Sequence, residues 1–257
     1  MTKEAIPPGP QCFILSEIFP PCSDLHFSIV KGVDVTDSHK SVDVSPPQNK
    51  NKKHRIVIYI HHYNSPPSGA LRALCLSDPV HTTLALCTLN DGSLVGHAFA
   101  TQWSYDNGLV SWITQLVVHS NHRRRGIATM LLRMLRNGSG SSAFGLVSSH
   151  PAACIALSAI GDRHWVNNID LDFIRHNAPG MLSATTVDYL KDAQLRGSLF
   201  EEQPVAGTVS SIDTKFYVDR GEPLAALKAH IASSGSWPLG ELLEGHEFLI
   251  VVKVSSF

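Results

Sequence analysis

Two glycine turns, Asn90-Asp91-Gly92 and Asp106-Asn107-Gly108, constrain this chain more than any other feature. They separate three runs that alternate or are rich in β-branched residues, Thr82–Leu89, Leu94–Gln102 and Leu109–Val118. Asn/Asp-Gly pairs between such runs are hairpin signals, so the segment must build an antiparallel meander of about three strands. After Val118 the apolar period changes. Ile127, Met130, Leu131, Met134 and Leu135 recur at helical spacing, predicting a helix from Gly126 to Arg136 with one buried stripe, ended by Gly138 and Gly140. Phe144–Ser149 then reads as a strand and Pro151–Ile160 as an alanine-rich helix with proline in its first turn. A meander followed by strand–helix–strand–helix order predicts an α/β fold with a mixed, mostly antiparallel sheet and helices on its faces.

The flanks are less periodic. Residues 1–54 read as an N-terminal extension and polar linker, within which Asp34–Arg55 carries a proline pair and the basic cluster Lys50–Arg55. That cluster reads as a solvated loop rather than an import or nucleic-acid patch. Residues 55–257 form the expected domain, with its first strand at Arg55–His61 or, alternatively, at Phe13–Glu17. Ala70–Leu76, Ile169–His176, Val187–Leu195 and Glu222–Ser233 look helical, Phe248–Val254 looks like a closing strand, and residues 167–204 read as an insertion.

Bulk composition narrows the class. The 257 residues carry 21 Lys+Arg against 22 Asp+Glu, a net charge of −1, which disfavours a mainly nucleic-acid-bound domain. Five scattered cysteines without a CxxC pair argue against a disulfide framework or a zinc ribbon. His61-His62 and His119-x-x-His122 lack a third ligand at regular spacing, so no metal site is expected. No signal-peptide pattern or membrane-length apolar run is visible, giving the expectation of a cytoplasmic protein, with the nucleus open. Neither a phosphate loop of the GxxxxGK[ST] type nor a GxSxG serine elbow occurs.

The informative segment is Leu116-Val117-Val118, His119–His122, then Arg123-Arg124-Arg125-Gly126-Ile127-Ala128. A strand ends, a loop turns, and a helix starts at a glycine preceded by three arginines. The first amides of a helix have no intrahelical partner, and the macrodipole places about half a positive charge there. Gly126 lets a ligand approach the backbone and Ala128 leaves the next turn unobstructed, so this helix start suits a phosphate or pyrophosphate.

Arg123-x-x-Gly126-x-Ala128 resembles the pyrophosphate-binding motif (Q/R-x-x-G-x-G/A) of the GNAT superfamily of acyl-CoA N-acyltransferases, and Thr82 to Gly161 follow that family's element order around it. The resemblance implies a GNAT-like sheet flanked by helices on both faces, acetyl-CoA as cofactor, and transfer of its acetyl group to an amine. By position, the backbone of Leu116, Val117 and Val118 would accompany the pantetheine arm, with an exposed amide near Val118 polarising the thioester. The amides of Arg124, Arg125, Gly126, Ile127, Ala128 and Thr129 would cradle the pyrophosphate beside Arg123, with the Thr129 hydroxyl as an extra donor. His150 stands where the family often has Asn, near the expected thiol, and is the candidate catalytic residue; a cap or packing histidine is the plainer account. The sequence departs from the family at Leu157, where a Tyr acid is common, and at Asp162, where a Phe usually follows the glycine.

Two other readings stay in view: an inactive acyl-CoA-binding sensor or scaffold, favoured by Leu157, and a nucleic-acid-associated protein using Lys50–Arg55 and Arg123–Arg125. Trp103, Tyr105 and Trp112 flank the second turn and read as core or as a substrate mouth, and Cys154 reads as buried packing.

Overall fold

The computed structural model describes residues 25–31, 77–137, 139–215 and 217–255. The expected strands at Arg55–His61 and Phe13–Glu17, the expected helix at Ala70–Leu76 and the Lys50–Arg55 cluster lie outside the described residues. The strands are β1 (Leu25–Lys31), β2 (Thr82–Leu89), β3 (Leu94–Tyr105), β4 (Gly108–Val118), β5 (Ala143–Ser148), β6 (Gln194–Arg196), β7 (Ser211–Asp213) and β8 (His246–Lys253). The helices are α1 (Ile127–Asn137), α2 (Pro151–Ser158), α3 (Leu171–Ser183), α4 (Asp188–Lys191) and α5 (Gly221–Ser234). No helix among the described residues is long and apolar enough to cross a membrane.

The strands form one eight-stranded sheet in the order β1-β2-β3-β4-β5-β8-β7-β6. Every neighbouring pair is antiparallel except β4–β5. The two glycine turns close β2–β3 and β3–β4, where Tyr105 faces Gly108 across the second. β1 lies inside the stretch read from sequence as an extension, and pairs along its full length with β2, Leu25 opposite Leu89.

Side-chain alternation along β3 assigns the two layers. On one face, a Cβ on Gly96 would meet Ile127 and Leu131 of α1. On the opposite face, Trp103 packs on Trp112 with ring centroids 5.9 Å apart, and its indole N–H donates to the Met181 carbonyl of α3 at 2.9 Å. Trp103 and Trp112 are therefore core. The buried stripe of α1 is Ile127, Leu131, Leu132 and Leu135. It includes Leu132, which the period did not single out, while Met130 and Met134 are half-buried. Each fully buried leucine contributes about 1.5–3 kcal/mol by leaving water. Arg136 ties the end of α1 to the far end of α2, donating to the Ile160 carbonyl at 2.7 Å.

The expected helix over Val187–Leu195 is corrected. A single turn, α4, covers Asp188–Lys191, and Gln194–Arg196 turns outward as β6 to pair with β7. Sheet pairing at the edge overrides helix propensity there. Residues 167–204 supply α3, α4 and β6, with Ile174, Ala178 and Met181 of α3 fully buried.

Gly145 of β5 lies beneath the Trp112 indole, and a Cβ there would run into the ring. Gly145→Ala is expected to destabilise the protein by about 1–3 kcal/mol in urea unfolding, because the ring and β5 cannot both hold place. An unchanged midpoint would show that the ring has room to move.

Candidate functional site

The site begins with a mismatch in β4. Phe99 faces Gln115 while Ala100 faces Ile113, so Thr114 is an extra residue in the ladder. Such a bulge bends the strand and re-aims the side chains beyond it. β4 is paired with β5 only from Val110 to Trp112, just before that bulge. β5 meanwhile stays on β8 as far as Ser148. From Thr114 onward β4 and β5 part, and the gap between them opens toward Leu116–Val118 on one side and His150 on the other.

The chain leaves β4 through a single 3-10 turn, Ser120–His122. The His119 side chain accepts the Asn121 N–H at 3.2 Å, and the Arg125 guanidinium lies 3.0 Å from His122 Nδ1. Arg124 (φ 60°) and Gly126 (φ 73°) are then both left-handed. A left-handed residue costs about 1–2 kcal/mol unless it is glycine, so Gly126 is the residue type the turn requires. The first bond of α1 runs from the Met130 N–H to the Gly126 carbonyl at 3.0 Å. The amides just before it, through Thr129, belong to the helix start that has no carbonyl one turn earlier.

α2 begins at the other wall, and its first amides are already satisfied. His150 is the N-cap: its Nδ1 accepts the Ala152 N–H at 3.1 Å, and its carbonyl accepts the Ala153 N–H at 3.1 Å. Pro151 has no N–H. The anion-seeking end is therefore α1's, not α2's. His150 is buried (7% exposed), and its backbone N–H donates to the Ser148 hydroxyl. Burial lowers its pKa, Arg123 lowers it further, and Glu222 opposes both. With Nδ1 accepting, the neutral ring carries its proton on Nε2.

A third wall was not anticipated. α5 lays Glu222, Ala225, Ala226 and Ala229 along the cleft, and the Glu222 carboxylate accepts from Arg123 Nη1 at 3.0 Å across 99 residues of sequence. The cleft enclosed by α1, α2, α5 and the end of β4 has a volume of about 550 Å³. Its lining includes Leu116, Val118, Arg123, Arg124, Gly126, Ile127, Ala128, Thr129 and His150. These expected site residues therefore come together. The side chains of Val117 and Arg125 do not line it: Val117 alternates to the other face of β4, and Arg125 lies on His122. No spacing rule could have placed Glu222, because only folding brings α5 to the loop.

The remaining candidates are structural. Leu157 is fully buried. Cys154 is buried and its thiol is pushed far above the ordinary range by burial and by the nearby Glu247 carboxylate, so it stays protonated. Ser158, which follows Leu157 in the chain, donates to the Ile155 carbonyl at 2.8 Å. Asp162 accepts both the N–H and the hydroxyl of Ser255 at 2.8 Å, clasping the end of β8.

Residues 51–137 match the sequence model of the Acetyltransferase (GNAT) family. No curated protein matches the chain. Among solved structures, the GCN5-related glucosamine N-acetyltransferase region of a fungal multi-domain β-N-acetylglucosaminidase is similar at 15% identity and a TM-score of 0.33, over 47% of this chain. The chain spans only 13% of that protein's length. An aminoglycoside acetyltransferase from an uncultured soil metagenomic sample, in complex with sisomicin, is 16% identical (TM-score 0.28) over 45% of this chain and 69% of its own. A ribosomal-protein-alanine N-acetyltransferase from Brucella melitensis biovar Abortus 2308 is 15% identical (TM-score 0.29) over 44% and 70% respectively. These likenesses are partial and distant, and say nothing of what this chain acts on.

The capping role of His150 has a pH signature. The folded ring holds a proton less tightly than the unfolded one, whose value lies near 6.5. As pH falls through 6.5, the unfolded chain takes up the proton first, so stability drops; at higher pH both states are neutral and the effect vanishes. His150→Asn keeps a capping oxygen and removes the titration. Chemical unfolding of the two proteins is expected to diverge below pH 6.5, with wild type losing more, whereas His150→Ala should cost about 1 kcal/mol at neutral pH through loss of the cap.

Proposed function

We propose that this chain works as an acetyltransferase of the GNAT type, the family whose sequence model residues 51–137 match, and that its cleft takes acetyl-CoA and passes the acetyl group to a primary amine. The family match supports acetyl transfer in general; acetyl-CoA, the amine and the residue roles are our reading. One observation carries it: the parted end of β4, Leu116–Val118, opens into the same cleft as the start of α1, Gly126–Thr129. A long thin pantetheine arm fits beside a strand end that has lost its neighbour, and a pyrophosphate fits helix-start amides. A volume of about 550 Å³ is in the range of small-molecule sites.

When bound, acetyl-CoA supplies an activated thioester carbonyl. The chain's own groups do the rest. Leu116 and Val118 flank the arm, and the amides from Arg124 to Thr129 hold the pyrophosphate. His150, held in place by its cap, offers its Nε2–H at the junction of β5 and α2, where a leaving thiol would lie. It is suited to donating a hydrogen bond rather than accepting a proton, since protonating Nδ1 would break the cap. An amine of pKa about 10.4 must lose its proton before it attacks. Among the described residues lining the cleft, the imidazole and carboxylate side chains are His122, His150 and Glu222.

A second reading, an acyl-CoA-binding sensor without turnover, draws on Leu157: the position that carries a tyrosine acid in the resembling family is sealed in the core. The two readings differ in acceptor-dependent CoA release.

Calorimetric titration with acetyl-CoA tests the cleft. Wild type is expected to bind, and Gly126→Glu to lose binding, since it places bulk and negative charge on the phosphate path. Because any side chain at Gly126 is strained, Ala128→Glu should be measured beside it: an acidic residue is well tolerated in a helix's first turn. Binding retained by both variants would displace the site. His150→Ala is expected to keep binding and slow turnover by about 10²-fold, on the scale of losing one donor at the reacting carbonyl or thiolate.

A further inference from the structure

The three arginines before α1 are unequal. Arg125 rests on His122, and Arg124 is exposed. Arg123 donates through Nε to the Val118 carbonyl at 3.5 Å and through Nη1 to Glu222 at 3.0 Å. Its positive charge, nearest the parted end of β4, is thus matched by a carboxylate carried on a different element.

Stability does not account for this pair. Arg123 and Glu222 are 26% and 57% exposed, and ion pairs of that exposure contribute about 0–1 kcal/mol. Glu222 sits in the first turn of α5, where the helix dipole favours a negative charge beside the cleft. The rest of α5's cleft face is Ala225, Ala226 and Ala229. Those methyl groups neither hydrogen-bond nor reach across, which leaves Glu222 as the one polar group α5 presents to the cleft. It is also the one acidic side chain among the described residues of the lining. Coulomb energy at a partly screened site falls slowly over several ångströms, so a fixed carboxylate there acts on any phosphate held by the loop.

We infer that Glu222 is a specificity-determining residue: it neutralises Arg123 and opposes the polyanionic end of the bound cofactor, so that CoA-type ligands are held less tightly than the loop alone would hold them. This rests on the reading of the cleft as a CoA site. Its consequence is kinetic. A cofactor and its thiol product carry the same phosphates, so a carboxylate that loosens the phosphate end speeds departure of product as well as of donor.

The test uses the full chain and titrates CoA and acetyl-CoA into wild type, Glu222→Gln, Arg123→Gln and the double variant. Glu222→Gln is expected to tighten binding of both ligands by roughly three- to tenfold at about 0.05 M salt, and the gain should shrink toward none near 0.5 M. The gain should persist in the Arg123→Gln background, where the carboxylate faces the phosphates without its partner. If Glu222→Gln weakens binding, leaves it unchanged, or tightens it equally at all salt concentrations, the inference fails while the cofactor site stands. A gain that disappears in the Arg123→Gln background also overturns it, because Glu222 would then act only by holding Arg123. If wild type binds neither ligand, the cofactor reading falls and takes this inference with it. Thermal unfolding of each variant, expected within a few degrees of wild type, separates these outcomes from loss of fold.

Discussion

Everything at the site follows from the parting of β4 from β5. The two strands are the one parallel pair among the described strands and share only the register Val110–Trp112 with Ala143–Gly145. A parallel neighbour cannot be reached by a tight turn, so the chain must cross over, and the crossover is α1. The bulge at Thr114 then bends β4 away at the point where pairing stops. β5 remains anchored by β8, so β4 alone swings, and a wedge-shaped opening replaces the missing ladder. The two helices that begin at its lips, α1 and α2, are the helices that follow β4 and β5. A strand pair that stayed zipped to its end would leave no cleft and would seal Leu116 and Val118 in the sheet.

The electrostatics of the opening are set by which backbone groups are already used. α2 caps itself through His150, whereas α1 starts at a left-handed glycine with its first amides turned outward. The asymmetry leaves the start of α1, not that of α2, with open amides, and this is the physical basis on which we propose the phosphate end at α1 and the reacting end at the β5–α2 junction. Charge then refines the assignment, because Arg123 is matched by Glu222 and His150 is held neutral by burial. Of the two arginines that line the cleft, Arg123 is thus paired and Arg124 is not matched by a second carboxylate of the lining.

Much of the central fold is legible in sequence because its signals are local. The glycine turns fix β2–β3–β4, the switch of apolar period locates α1, and Pro151 marks the start of α2. Signals that depend on partners are weaker. Leu25–Lys31 becomes a strand because β2 offers it an edge, and Gln194–Arg196 because β7 does; neither carries a pattern that outweighs its surroundings. Leu132 is buried although the apolar period along α1 alone does not single it out.

The sequence by itself determined the kind of site: a strand end, an Arg-rich turn, a glycine and a small residue at a helix start, spaced so that backbone amides are left without partners. Backbone geometry over a dozen or so residues is a local property, and residue type controls it directly. Only the tertiary structure decided what stands around that start. The gap between β4 and β5, the cap that fixes the His150 tautomer, and the wall of α5 with Glu222 against Arg123 all join residues far apart in the chain. Their proximity comes from packing a whole core, not from any signal written beside them.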